Sequence, residues 1–200
     1  MVYKQTENYT CGPSAYLEAF CWIKTRSKEL KFHELGRIKP GKAFMGVSFL
    51  MIDPHLKLYI THKYKLSSKF INLVYEFENF KHQGYSFKKL EKELTEYYSA
   101  LIRKERSRVK KIFGIPSIIE LINQTVKVKK KALLLTNSSY WLGEMGVLHW
   151  VVVKGKDESG NFICSDPFLG KDLHFSEEEI KEQMLLVEKE RFPLQIVLEF

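Results

Sequence analysis

The stretch GVLHWVVVKGKDESGNFICSDP, residues 146–167, constrains the fold more than any other part of the chain. Two runs rich in Val, Ile, Phe and Trp flank KDESG, whose Asp, Ser and Gly are turn formers. That pattern specifies a β-hairpin with strands apolar enough to belong to a buried sheet. In an antiparallel hairpin, paired positions sum to a constant. Pairing Lys154 with Asn161 across the turn makes that sum 315 and sets His149 directly opposite Asp166. Directly opposed side chains share a face, with Cβ atoms about 5 Å apart. A slip of one residue would put them on opposite faces, so the inference rests on the turn.

The histidine and the aspartate matter as a pair. A lone histidine in an apolar strand reads as a core residue bonded to backbone, and Asp166-Pro167 alone reads as a strand-ending turn. Opposed across one hairpin, they form a base and its orienter. The carboxylate holds the imidazole, and the imidazole takes a proton from a nucleophile. That nucleophile has to come from elsewhere in the chain.

QTENYTCGPSA, residues 5–15, supplies it. Pro13 suits the first turn of a helix, where no amide partner is lost, and PSAYLEAFCWIK, residues 13–24, reads as a largely buried helix. Cys11 then sits at a helix N-terminus, where the dipole and unpaired amides favour thiolate. Gly12 leaves room for a substrate backbone close to the sulfur. Gln5 offers a side-chain amide that, with the Cys11 backbone N–H, can hold a developing oxyanion. Singly, Cys11 reads as a small buried hydrophobe and Gln5 as a surface residue. Gln5, Cys11, His149 and Asp166 together read as a catalytic set that needs no cofactor and no metal.

Elsewhere the elements are read more coarsely. Residues 25–45, broken by Pro40 and Gly41, read as loop, and 46–52 is an apolar run of undecided type. HLKLYITHKY, residues 55–64, alternates as a strand; residues 69–85 are aromatic and ambiguous. SFKKLEKELTEYYSALIRKERSRVKKIFG predicts the longest helix, capped by Ser86 and ended by Gly114 and Pro116. Ser117 and Glu120 form a capping pattern for a shorter helix. ALLLTN, residues 132–137, is a buried strand, the tail after Ser176 is helical up to Pro193, and LQIVLEF makes a last strand. With no repeats and no linkers, residues 1–200 read as one α+β domain, into which a basic helical segment, about 86–131, can be an insertion.

Gln5, then Cys11-Gly12-Pro13, then Leu148-His149-Trp150-Val151-Val152-Val153, then Asp166-Pro167 resembles the bacteriocin-processing (double-glycine) peptidase family of papain-like cysteine proteases. The resemblance covers residues 3–24 and 130–170. It implies a papain-like fold, with a Cys-bearing N-terminal helix packed on an antiparallel sheet that carries His and Asp. It also implies roles: Cys11 as nucleophile, His149 as general base and acid, Asp166 as orienting carboxylate, Gln5 as oxyanion donor. The implied activity is that of a stand-alone cysteine peptidase or amidase cleaving a peptide or isopeptide bond through an acyl-enzyme. The same triad can pass its acyl group to an amine or thiol, as an acyltransferase or transpeptidase does. A non-catalytic peptide- or nucleic-acid-binding module on the same fold is the third reading, and the presence of all four reactive residue types counts against it.

Composition narrows the setting. Three cysteines, at 11, 21 and 164, with no Cys-x-x-Cys pair argue against a disulfide framework or structural zinc. No run reaches a membrane span's length, and no secretory signal pattern opens the chain, which points to the cytoplasm. The net charge of +8 is localised: residues 101–131 hold ten Lys or Arg against two Glu, and the rest balances at 22 of each sign. Such a segment most often forms a well-solvated helix face; it can also attract an anionic surface or a peptide or protein substrate of acidic character. Aromatics are not interleaved with its charges, which argues against nucleic acid. The oligomeric state is not encoded legibly. Asp53-Pro54-His55 reads as a turn, and His33, His62, His82 and His174 lack metal-ligand spacing. Cys21 reads as first-helix packing and Cys164 as core on the strand face of Asp166; Asn8 and Trp150 are only possible supports of the site.

Overall fold

A computed structural model of the 200-residue chain describes residues 2–7, 10–36, 49–61, 68–77, 79–143, 147–190 and 194–199. Seven strands form one mixed sheet: β1 (Leu56–Ile60), β2 (Val109–Lys111), β3 (Ala132–Asn137), β4 (Leu148–Lys156), β5 (Phe162–Asp166), β6 (Lys171–Phe175) and β7 (Gln195–Glu199). Their spatial order is β2-β1-β7-β3-β4-β5-β6, with β1 and β2 parallel and every other neighbouring pair antiparallel. The helices are α1 (Cys11–Phe20), α2 (Arg26–Gly36), α3 (Phe49–Ile52), α4 (Ser68–Phe77), α5 (Phe87–Lys104), α6 (Ile115–Lys127), α7 (Ser139–Leu142) and α8 (Glu177–Lys189), with a 3-10 turn at Phe80–Gln83. The fold is α+β, and no helix among the described residues is long and apolar enough to cross a membrane.

Period-two alternation sorts the central strands into two cores. Leu133, Val152 and Val197 pack with Ala15 and Tyr16 of α1 and Phe49 of α3. Leu134, Val151, Val153, Cys164 and Ile196 face the other way, onto Leu90 and Leu94 of α5, Ile118 and Ile122 of α6, and Ile180, Met184 and Val187 of α8. Each fully buried aliphatic side chain contributes about 1.5–3 kcal/mol. The sheet is therefore covered on both faces, which is why ALLLTN is buried along its whole length.

Several elements depart from the sequence reading. Residues 26–36, read as loop, form α2; Pro40 and Gly41 lie outside the described residues. The helix expected to run from 86 to 114 stops at Lys104, so the basic stretch 86–131 is helix, strand and helix rather than helical throughout. Arg108 explains the break. Its guanidinium donates to the carbonyls of Asp53 (2.8 Å) and Leu50 (2.7 Å) and to the Glu105 carboxylate, tying the chain to α3 and the turn that leads into β1. Tertiary anchoring overrides local helix preference there. Helix α6 begins at Ile115 after Gly114 (φ +84°), two residues before the expected cap Ser117, whose hydroxyl bonds back to the Phe113 carbonyl. Edge strand β6 was not anticipated. The tail helix α8 does start as expected, with Ser176 and Glu179 closing a reciprocal capping box.

Leu134→Ala should lower stability by about 2–5 kcal/mol, because it empties a site at the centre of the covered sheet. Lys110→Ala, on the exposed edge strand, should stay within about 0.5 kcal/mol. Urea unfolding of the two variants checks this, and equal losses would contradict the two-core description.

Candidate active site

Helix α1 begins at Cys11 itself. The preceding residue, Thr10, gives no side-chain cap, because its hydroxyl is engaged by the Glu29 carboxylate and the Glu7 carbonyl. The first amides of the helix are thus left for another acceptor, and the Cys11 sulfur takes the Gly12 amide. A second backbone donor is Trp150 N–H on β4. Strand β5 ends at Asp166, and its ladder with β4 reaches only Val152, so the Trp150 amide lies past the paired region. The Cys11 thiol therefore occupies a place where a sheet hydrogen bond would otherwise form.

His149, the second residue of β4, is buried, and its Nε2 lies 3.1 Å from Asp166 Oδ1. Its ring also hydrogen-bonds the Cys11 thiol, and with Nε2 on the carboxylate, Nδ1 is the nitrogen left for sulfur. Asp166 is fully buried. Its Oδ1 also accepts from the amides of Phe168 (2.7 Å) and Leu169 (3.0 Å), and its Oδ2 accepts from the Tyr140 hydroxyl (2.6 Å). Cys11, His149 and Asp166 thus form one connected hydrogen-bond chain.

The register that makes this possible differs from the sequence expectation. The turn spans Asp157 to Asn161, with Lys156 paired to Phe162 and Gly155 to Ile163, and a bulge between Val153 and Gly155 shifts the ladder. Beyond the bulge Val153 pairs with Cys164 and Val152 with Ser165, positions that sum to 317 rather than 315. His149 is therefore not directly opposite Asp166 but two residues diagonal to it. Continued without the bulge, the turn register would bring Asp166 across from Val152 and onto the other face; the bulge returns it to the face of His149. The expected neighbours meet through a different register.

Charge follows geometry. Burial alone would raise the Cys11 thiol, but the His149 hydrogen bond and charge, with the Trp150 and Gly12 amides, outweigh it and hold the thiol below its usual value. For His149, burial pulls downward, and the bonds to Asp166 and Cys11 reverse this and raise it to about 9. Asp166 is lowered: burial opposes ionisation, while His149 and Tyr140 overcome it. All three shifts run toward a thiolate, an imidazolium and a carboxylate. Since folded His149 holds its proton more tightly than the unfolded chain, its stabilising contribution is complete below about pH 6.5 and is lost as pH rises through about 9.

Gln5 sits beside this chain, its backbone N–H bound to the Pro167 carbonyl (2.7 Å) and its Nε2 to the Glu7 carbonyl (2.7 Å). The segment carrying it is anchored by Glu29 of α2, a fully buried carboxylate that accepts from Tyr3 Oη (2.7 Å), Thr6 N (2.9 Å), Thr6 Oγ1 (3.0 Å) and Thr10 Oγ1. Gly170, at φ +67°, packs so closely on Lys4 that a Cβ there would lie 2.9 Å from the lysine Cβ. Glu29, Tyr140, Trp141 and Phe168 escaped the sequence reading. Trp141 stacks on Phe168 at 4.4 Å and meets the His149 ring edge-on at 6.3 Å, walling the imidazole.

The remaining candidates lie apart. Cys164 is in the larger core with its thiol pushed up by burial, and Cys21, half-buried just after α1, is raised for the same first reason. Asp53 caps its own turn through the His55 amide and accepts from Tyr16 Oη (2.6 Å). Trp150 points away from His149, its ring edge-on to Phe49 at 4.7 Å. Asn8 and His62 lie outside the described residues, among which no group of His, Cys, Asp and Glu is arranged to hold a metal. No protein-family model matches the chain, and a search of curated proteins gives no match either.

Iodoacetamide at about pH 6 should label Cys11 well before Cys21 or Cys164. His149→Ala should delay that labelling until pH approaches the ordinary thiol value of about 8.5, and Gln5→Ala should leave it nearly unchanged. Peptide mapping reads out the order; first labelling at Cys164 would rule out the ion-pair description.

Proposed function

We propose that the protein is a papain-like cysteine peptidase or amidase, acting on a peptide or isopeptide bond through a Cys11 acyl-enzyme. The observation that carries the reading is the connected chain from the Cys11 thiol through His149 to Asp166 at a helix N-terminus. The thiolate would attack the substrate carbonyl carbon, forming the C–S bond as the carbonyl π electrons move to oxygen. The Cys11 N–H and the amide hydrogen of Gln5 not used by Glu7 would receive that oxyanion. Collapse expels the amine, which takes the imidazolium proton, and leaves a thioester. Neutral His149 then deprotonates water, whose attack releases the acid and restores the thiolate. Asp166 keeps the ring oriented throughout and never takes the proton.

The resemblance to bacteriocin-processing peptidases supports the same reading, as does the arrangement of a Cys-bearing helix against antiparallel strands carrying His and Asp. Free thiols at Cys11, Cys21 and Cys164 suit a reducing cytoplasm. For the partner, Arg103, Lys104, Arg106, Lys110 and Lys111 are all exposed along the end of α5 and edge strand β2, which favours an acidic peptide or protein. The other basic residues are not all available: Arg108 is an internal anchor, and Lys131 donates to the Glu18 carbonyl at 3.1 Å.

Acyl-enzyme formation is tested by intact-mass measurement after brief exposure to cell extract or to a peptidyl vinyl sulfone. A hydroxylamine-sensitive adduct from extract and a stable one from the sulfone, both on Cys11 and both lost in His149→Ala, are expected. A folded protein inert to both reagents would overturn the reading. Charge reversal at Arg103, Lys104, Lys110 and Lys111 should slow association with an acidic substrate and flatten its salt dependence, leaving turnover of a small neutral amide unchanged. Equal loss with both substrates would remove the basic edge from recognition.

A further inference from the structure

Asp166 has four donors, and the shortest bond is not from His149. Tyr140 Oη lies 2.6 Å from Oδ2, whereas His149 Nε2 lies 3.1 Å from Oδ1, which also takes two backbone amides. A hydroxyl at that distance is in the charge-assisted range, so Tyr140 draws substantially on the carboxylate charge. Two amides are fixed by the Asp166–Leu169 turn and cannot vary with sequence; the phenol can. Helix α7 places it: the Tyr140 ring packs edge-on to Phe175 of β6 at 5.1 Å, and the next residue, Trp141, walls His149.

We propose that Tyr140 is a positioning residue of this centre: its hydroxyl occupies Asp166 Oδ2, leaves Oδ1 to His149 and the two turn amides, and limits how strongly the carboxylate holds the imidazole proton. The proposal rests on the Cys11–His149–Asp166 reading. The groups around Tyr140 leave few other sources for such an effect. The titratable groups acting on Tyr140 are Asp166 and Cys164 on β5, with Trp141 beside it and Phe175 of β6 against its ring; those acting on His149 are Asp166 and Cys11, and from α8 Gln183 bonds Ser139 of α7. Tyr140 itself stays protonated, because burial and the neighbouring carboxylate push its ionisation far above the usual phenol range. It is a permanent donor.

The sign of the effect separates this role from simple packing. Removing a donor makes a buried carboxylate more basic, so its grip on the imidazolium proton tightens. Tyr140→Phe keeps the ring against Phe175 and deletes only the hydroxyl. The His149 titration, followed by NMR of ¹⁵N-labelled imidazole, should then move upward by about half a pH unit to one. Cys11 alkylation at pH 6 should not fall. Tyr140→3-fluorotyrosine, a stronger donor of nearly the same shape, should move the midpoint downward and covers the case in which Tyr140→Phe fails to fold. In an Asp166→Asn background both shifts should vanish. A midpoint that is unchanged or lowered in Tyr140→Phe, or a shift that survives Asp166→Asn, overturns the positioning role. Cys11 reactivity indifferent to His149→Ala would instead overturn the underlying reading, whatever Tyr140 does.

Discussion

A carboxylate with no exposed surface must have its lone pairs answered from within the protein, and Asp166 is that constraint here. Its donors come from α7, β4 and its own turn, so one buried charge specifies where three separate pieces of chain must end. The turn that satisfies Oδ1 also exposes the Pro167 carbonyl to Gln5, which seats the N-terminal segment next to Asp166. Cys11 follows six residues later at the start of α1. Cys11, His149 and Asp166 are therefore not three independently placed residues; each is located by hydrogen bonds that trace back to the same carboxylate.

The opposite end of that segment depends on a second buried carboxylate. Glu29 gathers Tyr3, Thr6 and Thr10 through hydroxyl and amide donors, so the approach to Cys11 is held by short-range directional bonds. Such bonds contribute only about 0.5–1.5 kcal/mol each, or up to about 3 when the acceptor is charged, but leaving a buried acceptor unmet costs more than making the bond gains. The segment has little freedom to settle elsewhere while α2 stays in place.

These facts explain what the sequence made legible. The hairpin was legible because its strands alternate between two apolar cores, and the Cys-Gly-Pro start of α1 because proline and helix polarity are local properties. The register was not, since the bulge at Lys154 leaves no compositional mark and the true turn is centred nearer Asn161. Helix α2 hid for a different reason. Its buried positions are Glu29, His33 and Gly36, spaced as a helix requires but without an apolar side chain among them, and Phe32 is only partly buried against the α1 core, so hydrophobic periodicity has little to detect. Strand β6 has only an exposed or half-buried edge to show, and β2 exists because Arg108 pins the chain at that point. Tyr140 and Trp141 stand on a four-residue helix whose value lies wholly in what it faces.

One feature of the sheet gives the site its character. Val151 and Val153, which share a face with His149, belong to one core, while α1 belongs to the other, so thiol and imidazole approach from opposite layers. They can meet only because β5 stops at Asp166 and leaves an opening beside Trp150. Strand length thus behaves as a chemical parameter. A ladder continued as far as Trp150 would seal that window, and the two cores would then enclose a cysteine and a histidine on opposite sides of an unbroken sheet.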